Sequence, residues 1–462
     1  MKEHTSPFTA LLMLSLVGLI VFSFNLFIPR QELLLLYDSK RLFIIFVLSL
    51  SMLISCFFSR HTATAISNEY QSLKTHNRIL LLTFITFTLI ATTIGKYQPA
   101  AALQLLYVLG LSILLVQFKQ IIYSQKLRVL QYFMWISVFL LCSVLAGYWT
   151  WLAHGLPVNI HSMFGFANAR FINQIHVWLV IPTAYLALIR IRRNQSSWLL
   201  RLLLVLCFTV IVATDARGEA ISVIGAFLLM MLFDRSNRRL WWRLLWQGVI
   251  AGIAIKLLFL SPIPSFILDI PAEWHTIRTG SSGRVQIWFE TWEMSSFWGL
   301  GADAFVCDSD TFGRPHNFLL NILVHWGAIP ALAFIGAGLS IVSQLTRVKK
   351  RSTLVFGVSL LSGLAYSLVS GVLDSPLSQL IAAISFALYW AHVARDQQTN
   401  RLTQTPTLAH RIILCGIAIL VLCSISYRAY ERFENYPAVE EGDVPKTQFW
   451  LGYNCLERPW EP

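Results

Sequence analysis

Three basic side chains have the types and settings for chemistry on an anionic substrate. Arg217 lies in Thr-Asp-Ala-Arg-Gly-Glu, Arg284 in Gly-Arg-Val-Gln-Ile-Trp and His316 in Arg-Pro-His-Asn-Phe. A guanidinium binds phosphate or carboxylate through paired hydrogen bonds, and an imidazole titrates near neutral pH and can accept a proton. Each residue alone also fits a simpler interpretation, as an interfacial anchor or a helix cap. We predict that the three converge on one cavity, because the topology derived below places all three at outer helix ends.

Four further residues complete the candidates for substrate binding. Arg314 and Asn317 flank His316, whereas Asn168 and Arg170 lie in Phe-Gly-Phe-Ala-Asn-Ala-Arg-Phe-Ile-Asn-Gln, residues 164–174. Aromatic, amide and arginine side chains suit stacking and hydrogen bonding to a sugar. They suit a loop at the membrane interface equally well.

The segment Asp308-Ser309-Asp310 matches the Asp-x-Asp pattern that holds a metal in nucleotide-sugar transferases. Nucleotide sugars are cytoplasmic, whereas the topology below places this segment on the other side. We therefore predict no metal site and no cofactor.

The seven cysteines form no Cys-x-x-Cys pair and no zinc-type spacing. Cys307 and Cys455 lie in polar segments, and the other five lie in or beside apolar runs, where a small buried hydrophobe is expected. Two alternatives stay open for the polar pair: a disulfide in an oxidising compartment or two unpaired thiols.

The elements that must position these residues are membrane helices. The chain of 462 residues is 56% hydrophobic and 13% charged, against about 25% charged in soluble domains. Apolar runs of roughly 20 residues recur along it, each long enough to cross a bilayer. We predict an all-α, polytopic integral membrane protein with 12 to 13 helices, near residues 8–28, 41–58, 79–95, 100–117, 129–152, 171–189, 197–214, 219–233, 244–261, 317–345, 353–370, 376–393 and 411–427.

Basic residues sort these helices into an orientation. Alternate loops carry clusters such as 190–193, 235–243 and 347–351, which the positive-inside rule places in the cytoplasm. The net charge of +13 is therefore a topology signal and does not indicate nucleic acid. The first outer loop, with Arg30, Lys40 and Arg41, is an exception. Lys256 is almost the only charge deep within a predicted span.

Four regions follow from this topology. Residues 1–261 form a bundle of about nine helices, 262–315 a large periplasmic loop, 316–427 the C-terminal helices, and 428–462 a polar tail on the periplasmic side. Within the loop, residues 284–292 predict a short helix whose Ile287, Trp288 and Trp292 share one face and lie on the membrane interface.

The ordered motifs resemble the O-antigen ligase and O-antigen polymerase superfamily, which includes bacterial protein (pilin-type) O-oligosaccharyltransferases. The similarity is carried by Arg284-Val285-Gln286-Ile287-Trp288, by 298–305 (Trp-Gly-Leu-Gly-Ala-Asp-Ala-Phe), by 315–321 (Pro-His-Asn-Phe-Leu-Leu-Asn) and Trp326-Gly327, and by Arg217-Gly218. It covers residues 160 to 335 and, through the helix count, most of the chain. The thirteenth apolar run and the polar tail depart from the twelve helices expected of the family.

The resemblance implies a membrane glycosyltransferase of a bacterial inner membrane, with an undecaprenyl-diphosphate-linked glycan as donor. Arg217 and Arg284 would hold the diphosphate, His316 would take the acceptor proton, and Asn317 would orient the imidazole or a sugar hydroxyl. The acceptor stays open between a periplasmic protein such as pilin, which the segment 166–174 slightly favours, and the lipid A core of lipopolysaccharide. A polymerase that extends the glycan is an alternative, and a polysaccharide transporter or flippase is the rival from another class.

Overall fold

The computed structural model describes residues 6–24, 38–158, 163–166, 168–272, 283–309, 314–396 and 405–434. Within these ranges the backbone forms helices and turns, and one isolated bridge joins Met163 to Phe166. The predicted all-α class is confirmed.

Eighteen α-helices occur in the described ranges. They are α1 Pro7–Phe24, α2 Asp38–Phe57, α3 Ser59–Ser72, α4 Thr75–Ile94, α5 Gln98–Ala153, α6 Ala169–His176, α7 Val180–Arg192, α8 Trp198–Ala213, α9 Arg217–Phe233, α10 Arg238–Ile255, α11 Ile263–Ile267, α12 Arg284–Met294, α13 Ala304–Asp308, α14 Phe318–Trp326, α15 Ala328–Leu345, α16 Arg351–Ser367, α17 Pro376–Asp396 and α18 Leu408–Glu434. A 3-10 turn, Arg235–Asn237, precedes α10 and a π-helical turn, Lys256–Leu260, follows it.

Eight helices of the described chain are long and apolar enough to cross a membrane, and the bent pair α6 and α7 makes a ninth. The protein is thus a multi-pass membrane protein. The count is below the predicted 12 to 13 partly because α8, α9 and α16 have only 16 or 17 residues. Moreover, α5 is a single helical stretch of 56 residues where two helices and a loop were predicted.

Helix α5 folds back on itself. Gly110 packs against Leu48 of α2, whereas the Ser143 hydroxyl donates to the Ser23 carbonyl of α1, whose Phe22 stacks on Phe43 of the same α2. A straight helix would separate residues 110 and 143 by about 50 Å, at 1.5 Å per residue. The reversal therefore lies between them, in the stretch with Lys119, Lys126 and Arg128, and the two halves of α5 are antiparallel as predicted.

The long helices run between two chemically different ends of the bundle. At the basic end, which carries the clusters 190–193, 235–243 and 347–351, the Arg351 guanidinium lies 2.9 Å from the Asp234 carboxylate, and Lys350 lies 2.6 Å from Asp396. Helices α9 and α17 connect this end with Arg217 and Asp374 at the other, which we call the site end. The candidate residues and the basic clusters thus occupy opposite ends.

Lys40 and Arg41, two of the three exceptions to the charge pattern, are buried at the site end. The Lys40 ammonium donates to the Gly165 carbonyl at 2.7 Å and lies 3.2 Å from the centre of the Phe166 ring. Arg41 pairs with Asp38. Because Lys40 and Arg41 are buried within the protein, they do not act as exposed loop charges. Arg30 lies outside the described residues.

Two predicted spans are broken near the site end. The run 317–345 divides into α14 and α15 at Gly327, which has a φ of 91°, and the run 171–189 divides into α6 and α7 with a bend of 46°. A buried Trp178 at the second break packs its ring on Gly363 of α16 and donates its indole N–H to Ser378 of α17. These breaks place short helices, α6 and α14, beside the candidate residues.

Candidate functional site

Three arginines begin three helices at the site end. Arg217 is the first residue of α9, Arg284 is the first residue of α12, and Arg170 lies in the first turn of α6. A helix N-terminus carries a partial positive charge and normally favours acidic side chains. Three guanidiniums added to three helix N-termini therefore create a concentrated positive potential, which suits an anionic ligand.

Close packing of α9 on α16 brings two of these arginines together. Gly218 follows Arg217, and a β-carbon there would lie 2.9 Å from both the Tyr366 ring and the Val369 side chain. The Arg284 guanidinium donates to the Val369 carbonyl at 2.7 Å. A side chain at position 218 would separate the helices, so the Arg-Gly pair places Arg217 beside Arg284.

The cationic cluster lacks a full set of counter-charges. In the described ranges neither Arg170 nor Arg284 forms an ion pair with a carboxylate. Burial, together with repulsion from Arg170 and Arg217, lowers the pKa of Arg284. A buried Nε of Arg284 also has no hydrogen-bond partner. An arriving anion would relieve this repulsion and satisfy the open donor.

The arginines lie at one end of a long apolar crevice of about 1750 Å³. Its charged lining residues are Arg170, Asp215, Arg217 and Arg284 at the site end and Lys74 at the opposite end. Apolar side chains from α4, α9, α15 and α16 line the length between, including Leu80, Phe84, Leu228, Phe334, Leu361 and Leu364. The crevice therefore combines an anion site with an apolar channel that runs along the bundle.

His316 lies beside this crevice but does not line it. Its backbone is left-handed, with a φ of 52°, a conformation that non-glycine residues adopt mainly in turns and functional sites. Burial lowers the pKa of His316 to about 4, against the attraction of Asp374 and with repulsion from Arg170 and Arg284. His316 is thus neutral at pH 7 and able to accept a proton. The prediction that all three residues line one cavity holds for Arg217 and Arg284 only.

The segment that carries His316 is held by its neighbours. The Trp288 indole N–H donates to the Pro315 carbonyl at 2.8 Å, so α12 fixes the residue before His316. Asn317 caps α14, and its side-chain oxygen accepts from the backbone N–H groups of Leu319 and Leu320. Asn317 therefore caps a helix with its side-chain oxygen, and its role in orienting the imidazole or a sugar hydroxyl stays a prediction.

The predicted membrane-facing surface of α12 differs from the observed one. Trp288 lines the crevice and binds the His316 segment. The exposed apolar residues of this helix are Val285, Phe289 and Trp292. The expected grouping of Ile287, Trp288 and Trp292 is therefore wrong for Trp288, because its indole N–H donates to the Pro315 carbonyl and its side chain lines the crevice.

Arg314 is buried between two carboxylates. It lies 2.7 Å from Asp374 and 4.0 Å from Asp303. Its charge is balanced inside the protein, and the residue acts as a support for the segment before His316. Asn168 is likewise a helix cap, since its side chain accepts from the backbone N–H of Arg170 at 2.9 Å, although it also lines the crevice.

Two glycines of the sequence motifs, Gly299 and Gly327, allow their two backbone segments to pack closely against each other. Gly299 and Gly327 have φ values of 81° and 91°, and a β-carbon on either would lie within 2.5 Å of the opposite backbone. The Leu300 and Gly301 N–H groups donate to the carbonyls of Val324 and His325. The Trp-Gly-Leu-Gly and Trp-Gly elements are therefore one packed unit that orients α14.

A buried polar pair that sequence reasoning missed joins α6 to α9. His176 Nδ1 lies 2.6 Å from a Glu219 carboxylate oxygen, and both side chains are buried. Nearby, the Thr214 hydroxyl donates to the Asn173 side chain at 2.9 Å. Glu219 is the third residue of α9, so this buried pair lies near the site end and does not test the expectation that Lys256 is almost the only charge deep within a predicted span. Glu219 follows Arg217 by two residues, and this closeness to a candidate site residue was the sequence feature from which a role for Glu219 could have been predicted.

The Asp-x-Asp segment does not present a complete metal site. Asp308 accepts hydrogen bonds from Lys96 at 2.8 Å and from the Tyr97 hydroxyl at 2.7 Å, and Asp310 lies outside the described residues. The described chain contains no group of three or more His, Cys, Asp or Glu residues that could hold a metal ion.

Cys307, in α13, is disulfide-bonded. The bridge suggested by the sequence pairs it with Cys455, which lies outside the described residues. Cys56, Cys142, Cys207, Cys415 and Cys423 are free. The expectation of two unpaired thiols is thus wrong for Cys307.

The fold and the site define a multi-pass α-helical membrane protein with a cationic pocket at the end opposite its basic loops. No protein-family model, no curated protein and no solved structure matches the chain. Its chemistry must therefore follow from its own residues.

Proposed function

We propose that the chain is a membrane glycan ligase that transfers a lipid-diphosphate-linked glycan to an acceptor hydroxyl. The observation that carries this proposal is the continuity of the arginine cluster with the apolar crevice. A lipid diphosphate, such as undecaprenyl diphosphate, has a multiply charged head on a long apolar tail. Arg170, Arg217 and Arg284 match the head, and the lining of the crevice matches the tail.

The orientation supports a reaction on the periplasmic side of a bacterial inner membrane. Basic loops stay in the cytoplasm, and the site lies at the other end of the helices. Lipid-linked glycans displayed on the outer leaflet would meet the cluster directly. The proposed location is thus the inner membrane, with the site end facing the periplasm.

The chemistry is a single displacement at the anomeric carbon of the donor. The acceptor oxygen forms a bond to that carbon, the bond from carbon to the diphosphate oxygen breaks, and its electron pair leaves with the lipid diphosphate. Arginines stabilise the charge that develops on this leaving group, so no general acid is required. Neutral His316 takes the hydroxyl proton, an effect typically worth about 10² to 10⁴ in rate.

The acceptor class divides this proposal into three forms. The first is a Ser or Thr of a periplasmic protein such as pilin, the second is the lipid A core of lipopolysaccharide, and the third is the growing glycan in a polymerase. All three supply a hydroxyl and use the same donor site.

A transporter or flippase is the candidate from another class, and the length of the crevice is the observation in its favour. Passage of a charged, hydrated glycan needs polar groups at mid-depth. The described lining has its charged residues at the two ends, and between them it is mainly apolar with a few uncharged polar side chains such as Ser222 and Ser362. This pattern supports retention of a lipid tail over passage of a sugar.

The proposal is tested by transfer in nanodiscs with a purified lipid-diphosphate glycan and, separately, pilin, lipid A core and glycan acceptors. We expect product with one acceptor class and release of lipid diphosphate. Deletion of the gene should remove glycan from the same acceptor in cells. Movement of donor between leaflets without a new glycosidic bond would instead establish the transporter.

A further inference from the structure

The short helix α12 carries two inward side chains that lie one turn apart. Arg284, its first residue, donates from its guanidinium to the Val369 carbonyl at 2.7 Å. Trp288, four residues later, donates its indole N–H to the Pro315 carbonyl at 2.8 Å. Residues four apart lie on the same face of a helix, and both side chains line the crevice. One helix face therefore carries a member of the arginine cluster and a contact to the segment of His316.

The Pro315 carbonyl oxygen is well placed to control the residue that follows it. This oxygen belongs to the same planar peptide unit as the His316 nitrogen. A donor that holds the oxygen therefore also holds the plane from which His316 begins. Pro315 is buried, and a buried carbonyl group needs a hydrogen-bond partner. The indole N–H thus satisfies the carbonyl and sets the direction of the backbone at His316.

The backbone conformation of His316 needs such support. Its φ of 52° is left-handed, a conformation that costs free energy for a residue with a β-carbon and persists where the surroundings hold it. On the other side, Asn317 caps α14 through its side-chain oxygen, which accepts from the backbone N–H groups of Leu319 and Leu320. His316 is therefore held between two fixed points, α12 before it and α14 after it. Loss of the first would let the backbone relax and turn the imidazole to a new direction.

We infer that Trp288 is a positioning residue for His316, which it holds through the Pro315 carbonyl. The inference rests on the proposed function only where His316 is called the base. It gives the Arg-x-x-x-Trp spacing a physical reason, because one rigid helix then carries both a donor-binding side chain and the support of the base. The simpler alternative is that Trp288 is only a wall of the crevice, a role that needs the ring and not its N–H group.

The test measures the reactivity of the His316 imidazole in the full chain in nanodiscs. Diethyl pyrocarbonate modifies neutral imidazole, and peptide mass spectrometry reports the rate at each histidine separately. At pH 8 His316 is neutral whether its pKa is about 4, as in the folded protein, or near 6.5, as in an exposed histidine. The rate therefore reports access to the ring. In Trp288→Phe we expect it to rise about three- to tenfold, the equilibrium factor of one neutral hydrogen bond.

Two controls separate a local role from general loosening. Trp292→Phe changes the next turn of the same helix, where the side chain is 65% exposed, and should leave the rate at His316 unchanged. His325 in α14 is 4% exposed and should keep its slow rate in both variants. An unchanged rate at His316 in Trp288→Phe, an equal rise in Trp292→Phe or a parallel rise at His325 would each overturn the inference.

A tryptophan analogue with sulfur in place of the indole nitrogen removes only the donor. Placed at position 288, it keeps the ring that lines the crevice, so it tests the hydrogen bond even if Trp288→Phe fails to fold. We expect the same rise at His316. A rate equal to that of the unmodified protein would assign Trp288 to the crevice wall alone and contradict the inference.

The labelling uses neither donor nor acceptor, so its outcome is independent of glycan transfer. A rise at His316 in a chain that transfers no glycan would support the positioning role and contradict the proposed function. If transfer is observed, the sulfur analogue should lower kcat about three- to tenfold and leave the KM for donor nearly unchanged, because Arg284 and the shape of the crevice are kept. A raised KM with unchanged kcat would overturn the inference, since Trp288 would then act on the donor alone.

Discussion

At the scale of single residues, the site is a concentration of positive charge that the described chain does not fully neutralise. Placing cations beside one another in a partly buried site costs free energy. Such arrangements occur at functional sites, where a bound anion can offset the cost. Arg170 and Arg284 form no ion pair with a carboxylate in the described ranges, whereas Arg314 has two carboxylates of its own. The contrast separates residues available to a ligand from those that support the fold.

Replacement of His316 by alanine should lower the transfer rate by about 10² to 10⁴, because it removes the proposed base. Donor binding, measured with a labelled lipid diphosphate, should change little, since the arginines remain. His316→Gln is the conservative companion, which keeps a polar side chain without a titrating base. Transfer at the rate of the unmodified protein in either variant would contradict the assignment of His316 as the base.

The pH dependence of kcat/KM should report the depressed pKa of His316. The base must be neutral to act, so activity should rise through a pH of about 4 and stay level towards neutrality. An exposed histidine would instead give a midpoint near 6.5. The same difference stabilises the fold as pH rises from about 4 to about 6.5, because the unfolded chain binds the proton more tightly there. An acid limb centred near 6.5 would contradict the burial argument.

Lysine in place of Arg217 or Arg284 should impair transfer although the charge is kept. A point charge cannot reproduce the paired hydrogen bonds of a guanidinium, and a charge-assisted hydrogen bond is worth about 1.5 to 3 kcal/mol, or roughly ten- to a hundredfold in kcat/KM. Arg314→Lys, inside the internal ion pair, should chiefly lower thermal stability. Equal activity of Arg217→Lys and the unmodified protein would argue against a phosphate contact.

Transfer should survive chelation. In the proposed reaction, arginines take the part that a metal ion has in nucleotide-sugar transferases, and Asp308 accepts hydrogen bonds from Lys96 and Tyr97. The measurement is product formation with and without EDTA. A loss of activity that Mg²⁺ or Mn²⁺ restores would make Asp308 and Asp310 candidate ligands.

At the scale of elements, the long periodic helices were predictable and their interruptions were not. The predicted spans 219–233 and 376–393 match α9 and α17 within a few residues, because each is a continuous apolar run. The divisions at Gly327 and at Trp178 arise from contacts with segments distant in sequence, Phe297 to Gly299 and Gly363. Arg217, Arg284 and His316 could be selected from the motifs, whereas the cap role of Asn317 required the structure.

The pair His176 and Glu219 should hold α6 and α9 together. Glu219→Ala leaves the buried imidazole of His176 without its carboxylate partner, which costs about 3 to 5 kcal/mol. The unfolding temperature, measured by tryptophan fluorescence in detergent, should therefore fall. His176→Leu with Glu219→Leu, which removes both groups, should recover much of the loss. Glu293→Ala, at an exposed position of α12, is the control. Additive losses in the double variant would contradict the pairing.

At the scale of the whole molecule, α18 is the last helix of the described chain and ends at Glu434, six residues beyond the predicted start of the tail at Arg428. Its Arg411 end lies near Ser59 and its Arg428 end near Asp303, so it runs from the basic end to the site end. Cys307 at that end is disulfide-bonded, which agrees with an oxidising compartment.

Thiol labelling of intact cells with a membrane-impermeant maleimide tests this orientation. Cys455 should react only after reduction if the run 411–427 carries the tail to the periplasm and if Cys455 is the partner of the disulfide-bonded Cys307. A Cys423→Ser background removes an exposed thiol from the measurement. Reaction without reduction would reject the bridge, and reaction only after permeabilisation would reject the crossing.

The apolar crevice has a consequence for competition within the bilayer. A space of about 1750 Å³ lined by hydrocarbon side chains does not stay vacant in a membrane, since ordinary phospholipid acyl chains are abundant and fit the same surface. On the proposed function, a scarce donor must therefore displace a resident lipid each time it docks, and its tail would contribute little to discrimination. Discrimination between the donor and a phospholipid would then depend on the headgroup. A zwitterionic phospholipid presents a single phosphate to the three arginines, whereas a lipid diphosphate presents two. On the proposed function, dianionic phospholipids should compete with the donor for the three arginines, so the transfer rate should depend on the composition of the surrounding membrane.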